Sequence, residues 1–167
     1  MWIIWLFVFN ATIVEKIKRE SSPIDFRCDA MKVQKNPHII ECVGHVIAVR
    51  EGMMLCCNKF TIYTDRQWKW EKATCEGDVR SRKADRLIWS EWAQYQPSDG
   101  VLVLEKDPLL QRGQSLIRGN RVYFYMKTDE TNVEQPSGNV ATVSAENMTW
   151  SPPAKLGSQC PLSRRPK

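Results

Sequence analysis

The chain has 167 residues, of which 43% are hydrophobic and 26% charged, enough apolar material for one folded core and too much for wholesale disorder. Its net charge of +5 is carried by the two ends. Residues 11–20 contribute one positive charge and the last seventeen residues four, which leaves 21–150 neutral and argues against a nucleic-acid binder, whose folded face is normally basic.

In chain order, the first signal is the apolar run Trp2-Ile3-Ile4-Trp5-Leu6-Phe7-Val8-Phe9. It is too short to span a bilayer, which takes about 20 residues. It fits the apolar region of a secretory signal, although no Lys or Arg precedes it and Phe9 is bulky for a cut after Ala11. The alternatives are a retained anchor over residues 2–14 or a buried N-terminal element. A helix is expected over 12–20, with Ile13, Val14 and Ile17 on one side. Residues 1–20 are therefore set apart as a signal-like or anchor segment.

From residue 21 to 150 the pattern is strand after strand. Ile40, Cys42, Gly44, Val46 and Ala48 alternate with Ile39, Glu41, Val43, His45 and Ile47. Val101-Leu102-Val103-Leu104 follows, and then Val122, Phe124 and Met126 alternate with Tyr123 and Tyr125. Turn residues separate the runs at Lys35-Asn36-Pro37, Arg50-Glu51-Gly52, Thr64-Asp65-Arg66, Pro97-Ser98-Asp99-Gly100, Arg112-Gly113 and Pro136-Ser137-Gly138-Asn139. Short strands at this spacing predict an all-β sandwich, roll or barrel. From Ser151 the Pro-Pro pair, Gly157 and Pro166 predict a disordered basic tail over 151–167.

The strands repeat at an offset of 33. Cys42-x-Gly44-x-Val46 matches Cys75-x-Gly77-x-Val79, and the same offset carries Ile40 onto Ala73, Met54 onto Leu87, Cys56 onto Trp89, Phe60 onto Ala93 and Ile62 onto Tyr95. Such repetition follows when each unit is a strand pair that buries one face against its neighbour. Gly44 and Gly77 fall inside strands, where glycine marks a bulge or a close backbone approach.

The six cysteines form no CxxC, and only His38 and His45 could join them, so neither metal nor cofactor is expected. Most cysteines are expected to be small buried hydrophobes. Cys42 and Cys75 are expected to be reduced neighbours, and Cys160 the most reactive thiol because it lies in the tail. No Gly-x-Ser-x-Gly, His-Glu-x-x-His or phosphate loop occurs, so no enzyme is expected. Two glycosylation triplets occur, at Asn10 and Asn147.

The units Glu41-Cys42-Val43-Gly44-His45-Val46 and Thr74-Cys75-Glu76-Gly77-Asp78-Val79, followed by Asp85-Arg86-Leu87-Ile88-Trp89, Ala93-Gln94-Tyr95, Asp99-Gly100-Val101-Leu102-Val103-Leu104, Asp107-Pro108-Leu109-Leu110 and Ile117-Arg118-Gly119-Asn120-Arg121-Val122-Tyr123-Phe124, resemble the OstA-like / LptA lipopolysaccharide export family over about residues 24–145. Cysteine stands where that family usually has alanine or another apolar residue, and His45 and Asp78 where it has Asn. The resemblance implies an antiparallel β-roll open at its edges, a periplasmic place, and a non-enzymatic lipid carrier that holds the lipid A part of lipopolysaccharide. It also implies partners of the same fold, joined by edge-strand pairing, with edge strands near 25–33 and 140–145. Self-association by that route is a further expectation.

The repeat register then assigns an inner apolar face to Ile40, Cys42, Val46, Met54, Cys56, Phe60, Ile62, Cys75, Val79, Leu87, Trp89, Tyr95, Val103, Ile117, Val122, Phe124 and Met126. Each of these has core packing as its plain alternative. Arg80, Arg82, Lys83 and Arg86 are candidates for lipid phosphate contacts at the mouth of the roll, with a solvated face paired to Asp78 and Asp85 as the alternative. Two other functions stay open: an inner-membrane-anchored relative that hands lipid to the bridge, and an exported, disulfide-stapled β-sandwich that binds protein.

Overall fold

The computed structural model describes residues 23–140 and 150–166. The apolar run at 2–9, the helix expected over 12–20, both glycosylation triplets and residues 141–145 of the expected last strand lie outside the described residues. Within them are twelve strands: β1 (Asp25–Arg27), β2 (Ala30–Lys35), β3 (His38–Arg50), β4 (Met53–Thr64), β5 (Trp70–Lys83), β6 (Arg86–Gln96), β7 (Val101–Glu105), β8 (Leu109–Arg112), β9 (Ser115–Arg118), β10 (Arg121–Tyr125), β11 (Thr131–Glu134) and β12 (Ser137–Asn139). Every pairing is antiparallel, as in the expected β-roll.

Strands β3 to β6 are long because each serves two sheets. Their pairing is interrupted in mid-strand, at Gly44-His45 in β3, Asn58 in β4, Gly77-Asp78 in β5 and Glu91 in β6. These interruptions line up across the sheet and bend it into two wings. The first wing runs β2, then the 38–43, 59–64, 70–76 and 92–96 portions of the long strands, then β7, β10 and β11. The second runs β1, then the 46–50, 53–57, 79–83 and 86–90 portions, then β8, β9 and β12. The glycines make the bend possible. Gly44 and Gly77 have φ of +82° and +75°, and the residues after them, His45 and Asp78, are left-handed too. A Cβ on Gly77 would sit 2.7 Å from Asn58 Nδ2. The 33-residue repeat is thus the repetition of one bulged strand pair.

The inward faces of both wings merge into one core. It includes Cys42, Phe60, Ala93, Leu104 and Phe124 from the first wing and Val46, Leu55, Val79, Ile88 and Leu110 from the second. A second cluster lies on the outer face of the second wing: Ile47, Met54, Cys56, Leu87, Trp89 and Leu109, closed by Leu162.

That cover corrects the expected free tail. Residues 150–166 form no helix or strand, yet they are strapped across the second wing. Leu162 is 5% exposed. Cys160 forms a disulfide with Cys56 across a Cα–Cα distance of 6.0 Å. Arg80 donates to the Leu162 carbonyl at 2.8 Å and the Trp89 indole to that of Ser163 at 2.9 Å. Arg165 pairs with Asp107 at 2.7 Å. The physical reason is the apolar outer face, whose burial compensates for ordering a segment that lacks secondary structure of its own.

The cysteine expectations also change. Cys57 and Cys75 form a disulfide inside the core beside the bend, and Cys160 is oxidised rather than reactive. Only Cys28 and Cys42 are free thiols. Cys42 and Cys75 do share a face, but Phe60 of β4 stands between them in the register.

Candidate functional site

The wings diverge from the bend and their far ends form a mouth. On one side of it, the β5–β6 turn of the second wing is latched to the segment after β10. Lys83 Nζ donates to the Met126 carbonyl at 3.3 Å and pairs with Asp129 at 2.8 Å. Arg86 donates to the Asp129 carbonyl and to Thr131 Oγ1. Both cations lie over the Phe124 ring, at 5.7 and 5.1 Å from its centroid.

On the other side, the β3–β4 turn of the second wing faces the first without such a latch among the described residues. Here lies an apolar cavity of about 50 Å³. Ala48, Met53 and Leu55 line it from the second wing, and Phe60, Ala73, Tyr95 and Leu102 from the first. Ile24, Trp70, Met126 and Arg50 complete it. Arg50 is placed there by alternation, since Val46, Ala48 and Arg50 are successive inward positions of β3. Its side chain is 15% exposed. The guanidinium lies over the Tyr95 ring at 5.3 Å, and Glu51 Oε1 stands 3.5 Å from Nε. Nε is buried without a hydrogen-bond acceptor among the described residues. Burial pushes the Tyr95 phenol pKa up, the charge of Arg50 acting the other way.

Of the residues assigned to the inner face, Cys42, Val46, Phe60, Ile62, Cys75, Val79, Val122, Phe124 and Met126 are buried in the common core, and Ile40, Tyr95 and Ile117 pack half-buried against it. Phe60, Tyr95 and Met126 reach the cavity itself. Five do not face inward. Met54, Cys56, Leu87 and Trp89 belong to the outer cluster under the tail. Val103 lies between Gln94 and Tyr123 on the outer face of the first wing.

The reason is the number of residues in each interruption. β3 and β5 each insert two residues, which preserves the period of two, so Cys42 and Val46 stay in phase, as do Cys75 and Val79. β4 and β6 each insert one, Asn58 and Glu91, which flips the phase. Hence Leu55 and Ile88, not Met54, Cys56, Leu87 and Trp89, share the face of Phe60 and Ala93. The repeat pairs themselves hold, since Met54 and Leu87, and Cys56 and Trp89, occupy matching places on the outer face.

The four basic residues do not converge. Arg80 is held by Asp78, with Nε to Oδ1 at 3.1 Å, and by the tail; Arg82 stacks on Trp150 at 5.0 Å. Both lie on the outer face, away from the mouth. Lys83 and Arg86 are the latch. Arg50, which sequence reasoning passed over, is the cation at the cavity; its signal was a charged residue at the third inward position of an apolar alternation. Among the described residues no group of three or more His, Cys, Asp or Glu side chains gathers at metal-binding distance.

Comparison with known proteins bears on this geometry. Residues 27–130 match the family described as LptA/(LptD N-terminal domain) LPS transport protein. No curated protein matches the sequence. The fold is similar to the crystal structure of LptH from Pseudomonas aeruginosa, the LptA-homologous periplasmic component of the conserved lipopolysaccharide transport device. The TM-score is 0.63 at 13% identity, covering 72% of this chain and 96% of that one.

Proposed function

This chain belongs to the LptA/LptD N-terminal domain family of lipopolysaccharide transport proteins, and from that premise we propose that it is a non-enzymatic periplasmic carrier that takes the acyl chains of lipid A between its wings. The observation that carries the proposal is the apolar cavity on the unlatched side of the mouth. At about 50 Å³ it is well below the roughly 150 Å³ that accommodates a benzene molecule. Acyl chains therefore enter by parting the wings. On the Arg50 side, parting them separates mainly apolar contacts, while the bend and the Lys83–Asp129 latch keep the roll in register.

The driving force is the removal of acyl methylenes from water. Burying roughly ten methylenes contributes on the order of 8 kcal/mol, against which the lost wing-to-wing contact must be set. The disulfides Cys56–Cys160 and Cys57–Cys75 support an oxidising compartment. The exposed edge residues Met31 and Val33 of β2 support strand addition by partners of the same fold.

The test is photocrosslinking to lipopolysaccharide from two aromatic positions of the first wing. Tyr95→benzoylphenylalanine places the probe at the cavity, and Tyr123→benzoylphenylalanine places it on the outer face. A crosslink from Tyr95 and none from Tyr123 is expected. Equal yields, or a crosslink from Tyr123 alone, would overturn the reading.

A further inference from the structure

We infer that Arg50 is a headgroup-binding residue, a cationic anchor for a phosphate-bearing amphiphile whose acyl chain occupies the adjoining cavity. The inference rests on the lipid-carrier reading and adds the chemical class of headgroup and the residue that selects it. Four observations converge. Arg50 lines the apolar cavity, and its side chain is 15% exposed. Its Nε is a buried donor without an acceptor among the described residues, and Glu51 stands at ion-pair rather than hydrogen-bond geometry, 3.5 Å away. The other cations of the mouth are tied to the latch, Lys83 by Asp129 and Arg86 through one terminal nitrogen by the Asp129 carbonyl and Thr131, although Arg86 Nε is likewise buried without an acceptor among the described residues. The outward Arg80 and Arg82 lie under the tail.

A guanidinium N–H buried with no acceptor is costly until an acceptor completes it, and Glu51 at 3.5 Å supplies charge without that hydrogen bond. Its planar fork matches phosphate oxygens two at a time, and parting the wings, which draws it off the Tyr95 ring, leaves that fork free to do so. The low dielectric of the apolar walls strengthens the contact. An uncharged amphiphile of the same chain length fills the same cavity but offers the guanidinium only neutral acceptors, which make the weaker hydrogen bond. The site therefore discriminates by charge, not by chain.

The experiment compares lysophosphatidate with monoacylglycerol of the same acyl chain, below their micelle concentrations, on the full chain. The wild type is expected to bind lysophosphatidate about tenfold more tightly or better. Arg50→Gln should bring the two ligands within about twofold of each other, and Arg50→Lys should restore part of the preference. Melting of both variants verifies the fold, and Arg50→Met serves if Arg50→Gln fails to fold. A preference retained in Arg50→Gln, or equal affinities in the wild type, overturns this inference and leaves the carrier reading standing. Failure of the wild type to bind either ligand overturns the carrier reading itself. Inorganic phosphate should not compete with lysophosphatidate; competition at equal concentration would make Arg50 a free-anion site and also overturn the inference.

Discussion

The outer face of the first wing meets water with polar side chains. Glu41 pairs with Lys59 at 2.7 Å, and Lys72 lies over the Tyr63 ring at 4.5 Å. The outer face of the second wing carries Ile47, Met54, Leu87 and Trp89, roofed by the tail. The first wing is an antiparallel sheet with one dry and one wet face; the second is dry on both. A sheet buried on both faces needs a second covering layer, and here that layer is an irregular segment held by one disulfide and a few side-chain bonds to its carbonyls. Regular secondary structure is therefore not required to close a sheet face when a covalent staple fixes the cover.

The largest expected effect distinguishes two tryptophans of one strand. Trp89 is 2% exposed under the tail and donates to the Ser163 carbonyl, whereas Trp92 lies beyond the Glu91 interruption on the open face of the first wing, half-buried. Trp89→Ala should cost about 3–5 kcal/mol in denaturant unfolding. Trp92→Ala should cost about 1 kcal/mol or less. Equal losses would mean that the two outer faces are covered alike.

Next comes the staple. The Cys56–Cys160 disulfide closes a sequence separation of 104 residues. Cys160→Ala should destabilise the chain by about 2–4 kcal/mol. It should also open the exposed Lys155 to trypsin before the strands are cut. Unchanged stability together with unchanged proteolysis would show that the tail is held by its non-covalent contacts alone, which would weaken the case for the staple.

This contrast was partly legible in the sequence. In β3 the first-wing residues alternate, and the repeat at Gly44 and Gly77 marks the bend. The runs Met53-Met54-Leu55-Cys56-Cys57 and Leu87-Ile88-Trp89 do not alternate; they are continuous, which is the pattern of burial on both faces. Extending the period of two through Asn58 and Glu91 put Met54, Cys56, Leu87 and Trp89 on the wrong side, because a single inserted residue carries no composition signal. Tail docking was obscured in the same way. Pro-Pro, Gly and Ser describe the absence of regular structure correctly, but they do not separate a free segment from one laid on an apolar face. The residues that separate them, Trp150, Leu156, Cys160 and Leu162, are spread through it. Arg50 was missed because it was read with Glu51 and Gly52 as turn rather than as the last inward position of β3.

The smallest expected effect lies in the inner face of the first wing, where a thiol stays reduced while the second wing's Cys56 is oxidised. Cys42 is 2% exposed. Burial, reinforced by a hydrogen bond with the neighbouring Cys28, pushes its pKa from 9.0 up to about 12. The thiolate is the reactive form, so Cys42 should resist alkylation at pH 8 until the protein unfolds, whereas the half-buried Cys28 should react first. The linkage has a definite sign. Because the folded state holds this proton more firmly than the unfolded one, the stabilisation is whole below pH 9 and is lost as the pH rises toward 12. The melting-temperature difference between the wild type and Cys42→Ser should therefore be constant up to pH 9 and change above it in the direction that favours the variant. Alkylation of Cys42 as fast as Cys28 in the folded chain would show that the first wing's inner face admits water at the bend, and that the wings differ less in sealing than their outer faces do.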